Sequence, residues 1–206
     1  TRVSEGTSVV DPIEAGIIER PADIVTDEYT YEFVGWSSLP TNVTQHCKIT
    51  PVYKIKYTIN YYNGDERVYQ YSVYQGDSAI DPVATGAISE PIKEGTSDIT
   101  YKFSTWDHLP TNVQSSISVH AQYDTYWAAR FWNDSTLYLT EWVKDGTTVV
   151  EPKDYFEDYV NPARASTAQY DYHFSKWDGD FDTTMTTTRE FYAVYSNTIR
   201  KYNVYF

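Results

Sequence analysis

Four segments between residues 57 and 123 carry hydrophobic residues at every second position. This alternation is typical of a β-strand with one buried side. Asn63-Gly64 follows the first segment, and this dipeptide is a strong signal for a tight hairpin turn. We therefore predict four strands that share one core face. The same-side residues are Tyr57, Ile59 and Tyr61; Tyr69, Tyr71 and Val73; Ile99, Tyr101 and Phe103; and Val119, Ala121 and Tyr123.

The same alternation returns between residues 127 and 195 and predicts a second set of strands. Glu141 interrupts it, because a carboxylate falls where Tyr71 stands in the earlier set. Either Glu141 lies at the sheet edge or the register there is shifted by one residue. The same-side residues are Trp127, Ala129 and Phe131; Leu137 and Leu139; Tyr170, Tyr172 and Phe174; and Phe191, Ala193 and Tyr195.

The two sets belong to an internal repeat with a period of about 70 residues. Glycine, proline and tryptophan mark it in one common register. Leu39–Val43 also returns unchanged as Leu109–Val113. The markers are Gly6, Gly76 and Gly146; Pro12, Pro82 and Pro152; and Trp36, Trp106 and Trp177.

The repeat predicts how the chain is divided. Residues 1–55 form a first repeat that lacks its opening strand, 56–125 a second, 126–200 a third, and 201–206 resemble the start of a fourth. We expect the chain to be a segment of a longer array. The predicted architecture is mainly β, α+β at most, with about three repeats in an elongated row, and neighbouring repeats are the expected partners.

The segment between the second and third strands of each repeat is rich in proline and glycine. In the second repeat it spans residues 77–98 and excludes a long regular helix. A single turn that starts at Ser78, a residue suited to cap it, is expected inside a crossing loop. Each repeat tryptophan has the parity opposite to the core residues of its strand, so we expect it to fold over this loop and enclose a second small core.

The composition of the chain excludes some classes of binding partner. The formal net charge of −13 repels nucleic acid and anionic membrane surfaces, and no run of apolar residues is long enough to insert into a membrane. Cys47, as the single cysteine, excludes an internal disulfide bond. The 21 tyrosines suit small cores, because an aromatic ring buries a large apolar area.

Four pieces of the second repeat, YTINYYNG, YQGDSAIDP, ITYKFSTW and VHAQY, occur in an order that resembles the Listeria–Bacteroides repeat family, the B-repeat of internalin B. The resemblance covers essentially the whole chain. It implies tandem β-grasp-like units in a bacterial surface protein or a phage structural protein. It further implies an extracellular location, on the cell or the virion, and a stalk, spacer or adhesion role rather than catalysis.

We predict no catalytic, cofactor-binding or metal site. The four histidines form no paired motif, and no nucleophile or phosphate-binding motif is present. The acidic loop Asp178–Asp182 suggests calcium, but an EF-hand needs glycine and glutamate where Thr183 and Arg189 stand. An acidic surface loop and a weak calcium site both remain open.

Three aromatic residues in the first hairpin of the third repeat have the outward parity: Trp132, Tyr138 and Trp142. Exposed aromatic rings on a flat sheet suit contact with a host-cell glycan or protein. The alternative is that the crossing loop or a neighbouring repeat covers these rings. Exposure of both indole rings to solvent would favour the contact surface.

Overall fold

The computed structural model describes residues 2–205, with every side chain in that range except that of Tyr155. The fold is mainly β, which confirms the predicted class. No helix in the described part is long and apolar enough to cross a membrane. The elements are β1 (Ile24–Val25), β2 (Tyr29–Trp36), β3 (Pro51–Asn63), β4 (Glu66–Tyr74), β5 (Ile99–Trp106), β6 (Ile117–Asn133), β7 (Thr136–Lys144), α1 (Pro152–Tyr155), β8 (Tyr170–Asp178) and β9 (Arg189–Ile199).

The chain folds as two compact units. The first comprises Thr1–Pro91 and Trp106–Ala121, and the second comprises Ile92–Thr105 and Gln122–Phe206. Their bounds differ from those of the sequence repeats, because β6 contributes residues to both units. The division into repeat domains at residues 55, 125 and 200 stays a prediction.

The strand β3 organises the first unit. Its first half pairs antiparallel with β2, and its second half pairs antiparallel with β4, with Ile59 opposite Tyr71. On its other edge, Ile59–Tyr62 pair in parallel with the start of β6. The predicted hairpin between β3 and β4 is present. Its turn is Gly64-Asp65, one residue later than expected, with Gly64 at a φ of 60°.

The second half of β6 organises the second unit in the same way. It pairs antiparallel with β7 and in parallel with the start of β9, which pairs antiparallel with β8. The inward alternation of Ala129 and Phe131 places both in a fully buried cluster with Phe191 and Trp177. The turn of this hairpin has Asp134 at a φ of 54° in the place of Gly64.

The repeat glycines have the same backbone setting in all three places. Each has a φ between 77° and 89°, a range that favours glycine. Each glycine donates its N–H to the carbonyl of a residue that lies seven or eight positions after the repeat tryptophan. The N–H of that same residue donates to the carbonyl of the residue that follows the glycine. The N···O distances are 2.9 Å for Gly6 to Val43, 2.8 Å for Gly76 to Val113 and 2.8 Å for Gly146 to Met185.

The crossing segment turns at Asp81 rather than at Ser78. The Asp81 Oδ1 atom accepts the backbone N–H groups of Val83 at 2.9 Å and Ala84 at 3.1 Å. Ser78 instead donates its hydroxyl to the Thr111 carbonyl at 2.9 Å. The expected cap was therefore assigned to the wrong residue, because an aspartate that precedes proline offers a charged acceptor to the turn.

A β-bulge changes the side on which the repeat tryptophans lie. The register shifts between Phe33 and Gly35 in β2, and between Phe174 and Lys176 in β8. One extra residue reverses the alternation, so the tryptophan returns to the side of the preceding phenylalanine. The Phe174 and Trp177 ring centroids are accordingly 5.4 Å apart. The tryptophans thus join the main core, and the expectation of a second small core was wrong.

Candidate functional site

The strand β6 places charged and aromatic side chains opposite the core of the second unit. Phe131 points inward and is fully buried, so its neighbours Arg130 and Trp132 point outward. The pairing of β6 with β9 brings Glu190 beside Arg130 and Tyr192 beside Trp132. We call this surface the outer aromatic face: Arg130, Trp132, Trp142, Glu190 and Tyr192.

Arg130 holds the centre of the outer aromatic face. Its guanidinium lies 2.5 Å from an Asp98 carboxylate oxygen and 3.2 Å from one of Glu190. The hydrogen bond that Arg130 donates to Asp98, and then the one that it donates to Glu190, raise the pKa of Arg130, while Arg130 lowers the pKa of Asp98. The Trp132 indole N–H also donates to Glu190. One carboxylate therefore orients both a guanidinium and an indole ring.

Two further rings of this face are open to solvent. Trp142 is 38% exposed and Tyr192 is 51% exposed, whereas Trp132 is half-buried. Trp142 pairs with Ala128, four residues before Trp132 along β6, so the backbone positions of the two tryptophans differ by about 13 Å along the strand direction. Sequence analysis missed Tyr192, although its parity opposite to Phe191 already marked it as outward.

Tyr138 does not share this face. The register of β6 with β7 shifts between Phe131 and Trp132, and this shift leaves Tyr138 as the extra residue of a bulge. Its ring lies 5.9 Å from that of Trp177, and its hydroxyl donates to the Val160 carbonyl. The three aromatic residues grouped from the sequence are therefore divided between two faces.

Tyr138 instead lines a shallow depression of about 500 Å³ against the third crossing segment. Phe156 and Tyr159 supply its other rings, and Glu157 and Asp158 supply carboxylates. An aromatic floor beside acidic side chains favours polar or cationic ligands over anions.

Glu141 lies in the core and not at the edge. It pairs with Ala129, as Tyr71 pairs with Ile59, so the register predicted from the sequence holds. The side chain is only 4% exposed and its Oε2 atom has no hydrogen-bond partner. Burial raises the pKa of Glu141 to about 7, against the opposing effect of a hydrogen bond from the Val150 backbone.

The acidic loop near Asp178–Asp182 is ordered by its own groups. Asp180 accepts the backbone N–H groups of Asp182 at 2.9 Å and Thr183 at 3.0 Å, and hydrogen bonds from Thr183 and Asp182 lower its pKa. The Arg189 guanidinium donates to the Asp180 and Thr183 carbonyls and so occupies two oxygen atoms of the loop. Across residues 2–205 no cluster of three or more metal-ligating side chains is found.

Comparison with models of protein families, with curated proteins and with solved structures found no match to the chain.

Proposed function

We propose that the chain is a non-catalytic spacer or stalk segment of a larger surface-exposed protein. In this proposal small β units follow one another and hold a functional end away from a surface. Such a role requires repetition of a unit rather than a reactive site. The location is extracellular, on a bacterial cell or on a virion.

The observation that carries the proposal is a pair of backbone hydrogen bonds that occurs at three places along the chain. Gly6, Gly76 and Gly146 lie 70 residues apart in the sequence and make the same pair of backbone hydrogen bonds. A chain in which one local structure recurs at a fixed period is typical of arrays, where length is set by the number of units. The formal charge of −13 keeps such an array soluble and disfavours self-association.

Small-angle X-ray scattering tests the proposal. A compact domain of 206 residues has a radius of gyration of about 17 Å. We expect a clearly larger value for a spacer, after extrapolation to zero concentration so that association between molecules does not contribute. A value near 17 Å would contradict the elongated spacer.

The outer aromatic face supports a second candidate function, the binding of a host-cell glycan or protein. Tyr192 and Trp142 are exposed on one side of the same sheet, and Arg130 and Glu190 beside them supply hydrogen-bond groups. Exposed rings next to oriented polar groups are typical of binding surfaces.

A glycan array and a pull-down from host-cell surface extract test this candidate. We expect Trp142→Ala and Tyr192→Ala to abolish any specific signal without loss of folding. Tyr205→Ala is the matched control, because Tyr205 is 88% exposed and lies outside the outer aromatic face. A signal that survives both face substitutions would exclude this surface.

A further inference from the structure

The third crossing segment differs from the other two at one place. The first and second segments turn there at Gly16 and Gly86, whose φ values are 65° and 72°, and alanine or isoleucine follows. In the third segment the short helix α1 precedes this place, and the chain continues as Phe156-Glu157-Asp158-Tyr159. The spacer role requires only that a unit is repeated, so two aromatic rings and two carboxylates that occur in one repeat alone indicate a separate role.

These side chains line the shallow depression of about 500 Å³ beside the hairpin of β6 and β7. We call it the Tyr138 depression: Tyr138, Phe156, Glu157, Asp158 and Tyr159. The Tyr138 hydroxyl donates to the Val160 carbonyl, and the Tyr159 hydroxyl accepts the Trp177 indole N–H at 3.1 Å. Both rings are therefore oriented before any ligand binds, which lowers the entropy that binding has to remove. Tyr138 and Phe156 are each 37% exposed, so a ligand can reach them.

The two carboxylates of the Tyr138 depression are not neutralised by the chain. Glu157 and Asp158 are exposed, and within the described residues neither forms an ion pair or a side-chain hydrogen bond. The closest basic residue in the sequence, Lys153, is engaged elsewhere, because its Nζ atom lies 3.0 Å from a Glu151 carboxylate oxygen. The depression therefore combines aromatic surface with two free negative charges.

Similar groups of side chains hold a cation at two other places in the chain. In each, a carboxylate forms an ion pair with a basic side chain that lies over an aromatic ring. The two groups are Lys56 with Tyr74 and Glu32, and Arg164 with Tyr195 and Asp134. The distance from the charged group to the ring centre is 4.8 Å in the first and 4.6 Å in the second. The Tyr138 depression has the same combination of rings and carboxylates, and no basic side chain of the described residues lines it.

We propose that the Tyr138 depression binds a quaternary ammonium group carried by a small molecule. The cation lies against the rings, as Lys56 and Arg164 lie against theirs, and the two carboxylates balance its charge from the rim. A trimethylammonium group donates no hydrogen bonds and is weakly hydrated, so it leaves water for an aromatic surface at a lower cost than a lysine ammonium. A volume of about 500 Å³ is within the range of sites for one small ligand. The site is separate from the outer aromatic face and is independent of the proposed spacer role.

Titration of the full, nitrogen-15-labelled chain with choline tests the proposal, because choline carries a trimethylammonium group on a short neutral chain. We expect saturable shifts of the backbone amide signals of Tyr138 and Glu157–Val160. The dissociation constant should be in the millimolar range, since cation–π contacts at an exposed site are weak. The matched ligand is the neutral isostere of choline, in which a tert-butyl group replaces the trimethylammonium group. It should bind at least about tenfold more weakly, because only the charge is removed.

Three variants separate the contribution of the depression from that of the overall charge. Glu157→Gln combined with Asp158→Asn should weaken choline binding about tenfold and leave binding of the neutral isostere unchanged. Phe156→Leu should weaken choline binding about threefold through the loss of one ring. Asp154→Asn is the matched control, because Asp154 is an exposed carboxylate of the same segment that lies outside the depression. It should leave choline binding unchanged.

Vesicles of phosphatidylcholine test a second source of the same group, a membrane surface. We expect the chain not to sediment with them, because Glu157 and Asp158 repel the lipid phosphate beside each trimethylammonium group. Sedimentation with these vesicles that is lost in the variant with Glu157→Gln and Asp158→Asn would assign the depression to a lipid headgroup and overturn the small-molecule ligand.

Three results of the titration would overturn the proposal. One is the absence of saturable shifts at Tyr138 and Glu157–Val160. Another is an equal response to the neutral isostere, which would show an apolar contact in which charge has no role. The third is a double variant, Glu157→Gln with Asp158→Asn, that loses no more affinity than Asp154→Asn, which would show that these two carboxylates do not hold the cation.

Discussion

The second and third repeats close their cores with the same ring contact but with different polar groups. Tyr61 and Trp106 lie 4.9 Å apart at 73°, and Phe131 and Trp177 lie 5.0 Å apart at 72°. The indole N–H of Trp106 donates to Asp81 at 3.1 Å, whereas that of Trp177 donates to the Tyr159 hydroxyl at 3.1 Å.

The hydrogen bond that joins the crossing segment to the sheet also has a different acceptor in the two repeats. The Ile80 N–H donates to the Tyr71 hydroxyl at 2.5 Å in the second repeat, and the matching Val150 N–H donates to Glu141 in the third. The apolar geometry is retained while the hydrogen-bond partner is exchanged. The packing of the rings therefore fixes the position of the repeat tryptophan. The buried polar groups need a hydrogen-bond partner, but the identity of that partner can differ.

Removal of the shared ring should have the largest effect. We expect Trp106→Ala to lower the free energy of unfolding of the first unit by about 3–5 kcal/mol, because the residue is 3% exposed. Hydrogen exchange detected by mass spectrometry should show lost protection in β3 and β4 and retained protection in β8 and β9. Trp36→Ala, at a half-buried position, should cost less, and an equal loss would contradict the comparison.

The buried carboxyl should make the third repeat sensitive to pH. The folded-state pKa of Glu141 is about 7, above its ordinary value of 4.5. Stability from this group is complete below pH 4.5, falls as pH rises to about 7 and then remains low, a loss of about 3 kcal/mol. Urea unfolding of Glu141→Gln should match the original chain at low pH and exceed it by that amount at pH 8. A difference that does not vary with pH would contradict this origin.

The aspartate of the second repeat should matter more than its counterpart in the third. Asp81→Ala leaves the Trp106 indole N–H and two turn N–H groups without this acceptor, at a cost of about 1–3 kcal/mol. Glu151→Ala should cost almost nothing, because Trp177 bonds to Tyr159. Chemical denaturation of both variants measures the difference, and similar losses would show that the two repeats are fixed alike.

The smallest effect is expected from removal of the Tyr159 hydroxyl, which accepts the Trp177 indole N–H as Asp81 accepts that of Trp106. Tyr159→Phe keeps the ring and removes the acceptor of the Trp177 indole N–H, which should cost about 1 kcal/mol. The shift in thermal midpoint gives the measurement, with Tyr205→Phe as a control for an exposed ring. No shift would indicate that water satisfies the indole.

Sequence reasoning predicted the strands, the hairpins and most of the strand faces, because alternation and turn residues are local signals. The placement of Leu137 on the core face was wrong, because Leu137 pairs with the outward Trp132 and is 45% exposed. Sequence reasoning recovered the register at Glu141 as well, since that register follows from counting. It missed the bulges at Val34 and Tyr138, because one unpaired residue has no signal in the hydrophobic pattern. Each bulge reassigned an aromatic residue to the other face, Trp36 in one case and Tyr138 in the other.

Sequence reasoning also could not identify the hydrogen-bond acceptors of the tryptophan indole N–H groups. Asp81 and Trp106 are 25 residues apart, and their hydrogen bond depends on how the crossing segment folds over the sheet. An aspartate before proline is a common turn signal, so its second role as an indole acceptor leaves no separate trace. Only the three-dimensional arrangement brings such pairs together.

The parallel pairing of opening and closing strands has a consequence for biosynthesis. Ile59 can pair with Ile117 only after almost 60 further residues have been added (117 − 59 = 58), and the interval between Phe131 and Phe191 is slightly longer (191 − 131 = 60). On the ribosome the opening hairpins of the second and third repeats are therefore complete well before the strand that covers the edge of each. During that interval the nascent chain exposes an aromatic edge, which makes slow elongation the stage at which misassembly between neighbouring chains is most favoured.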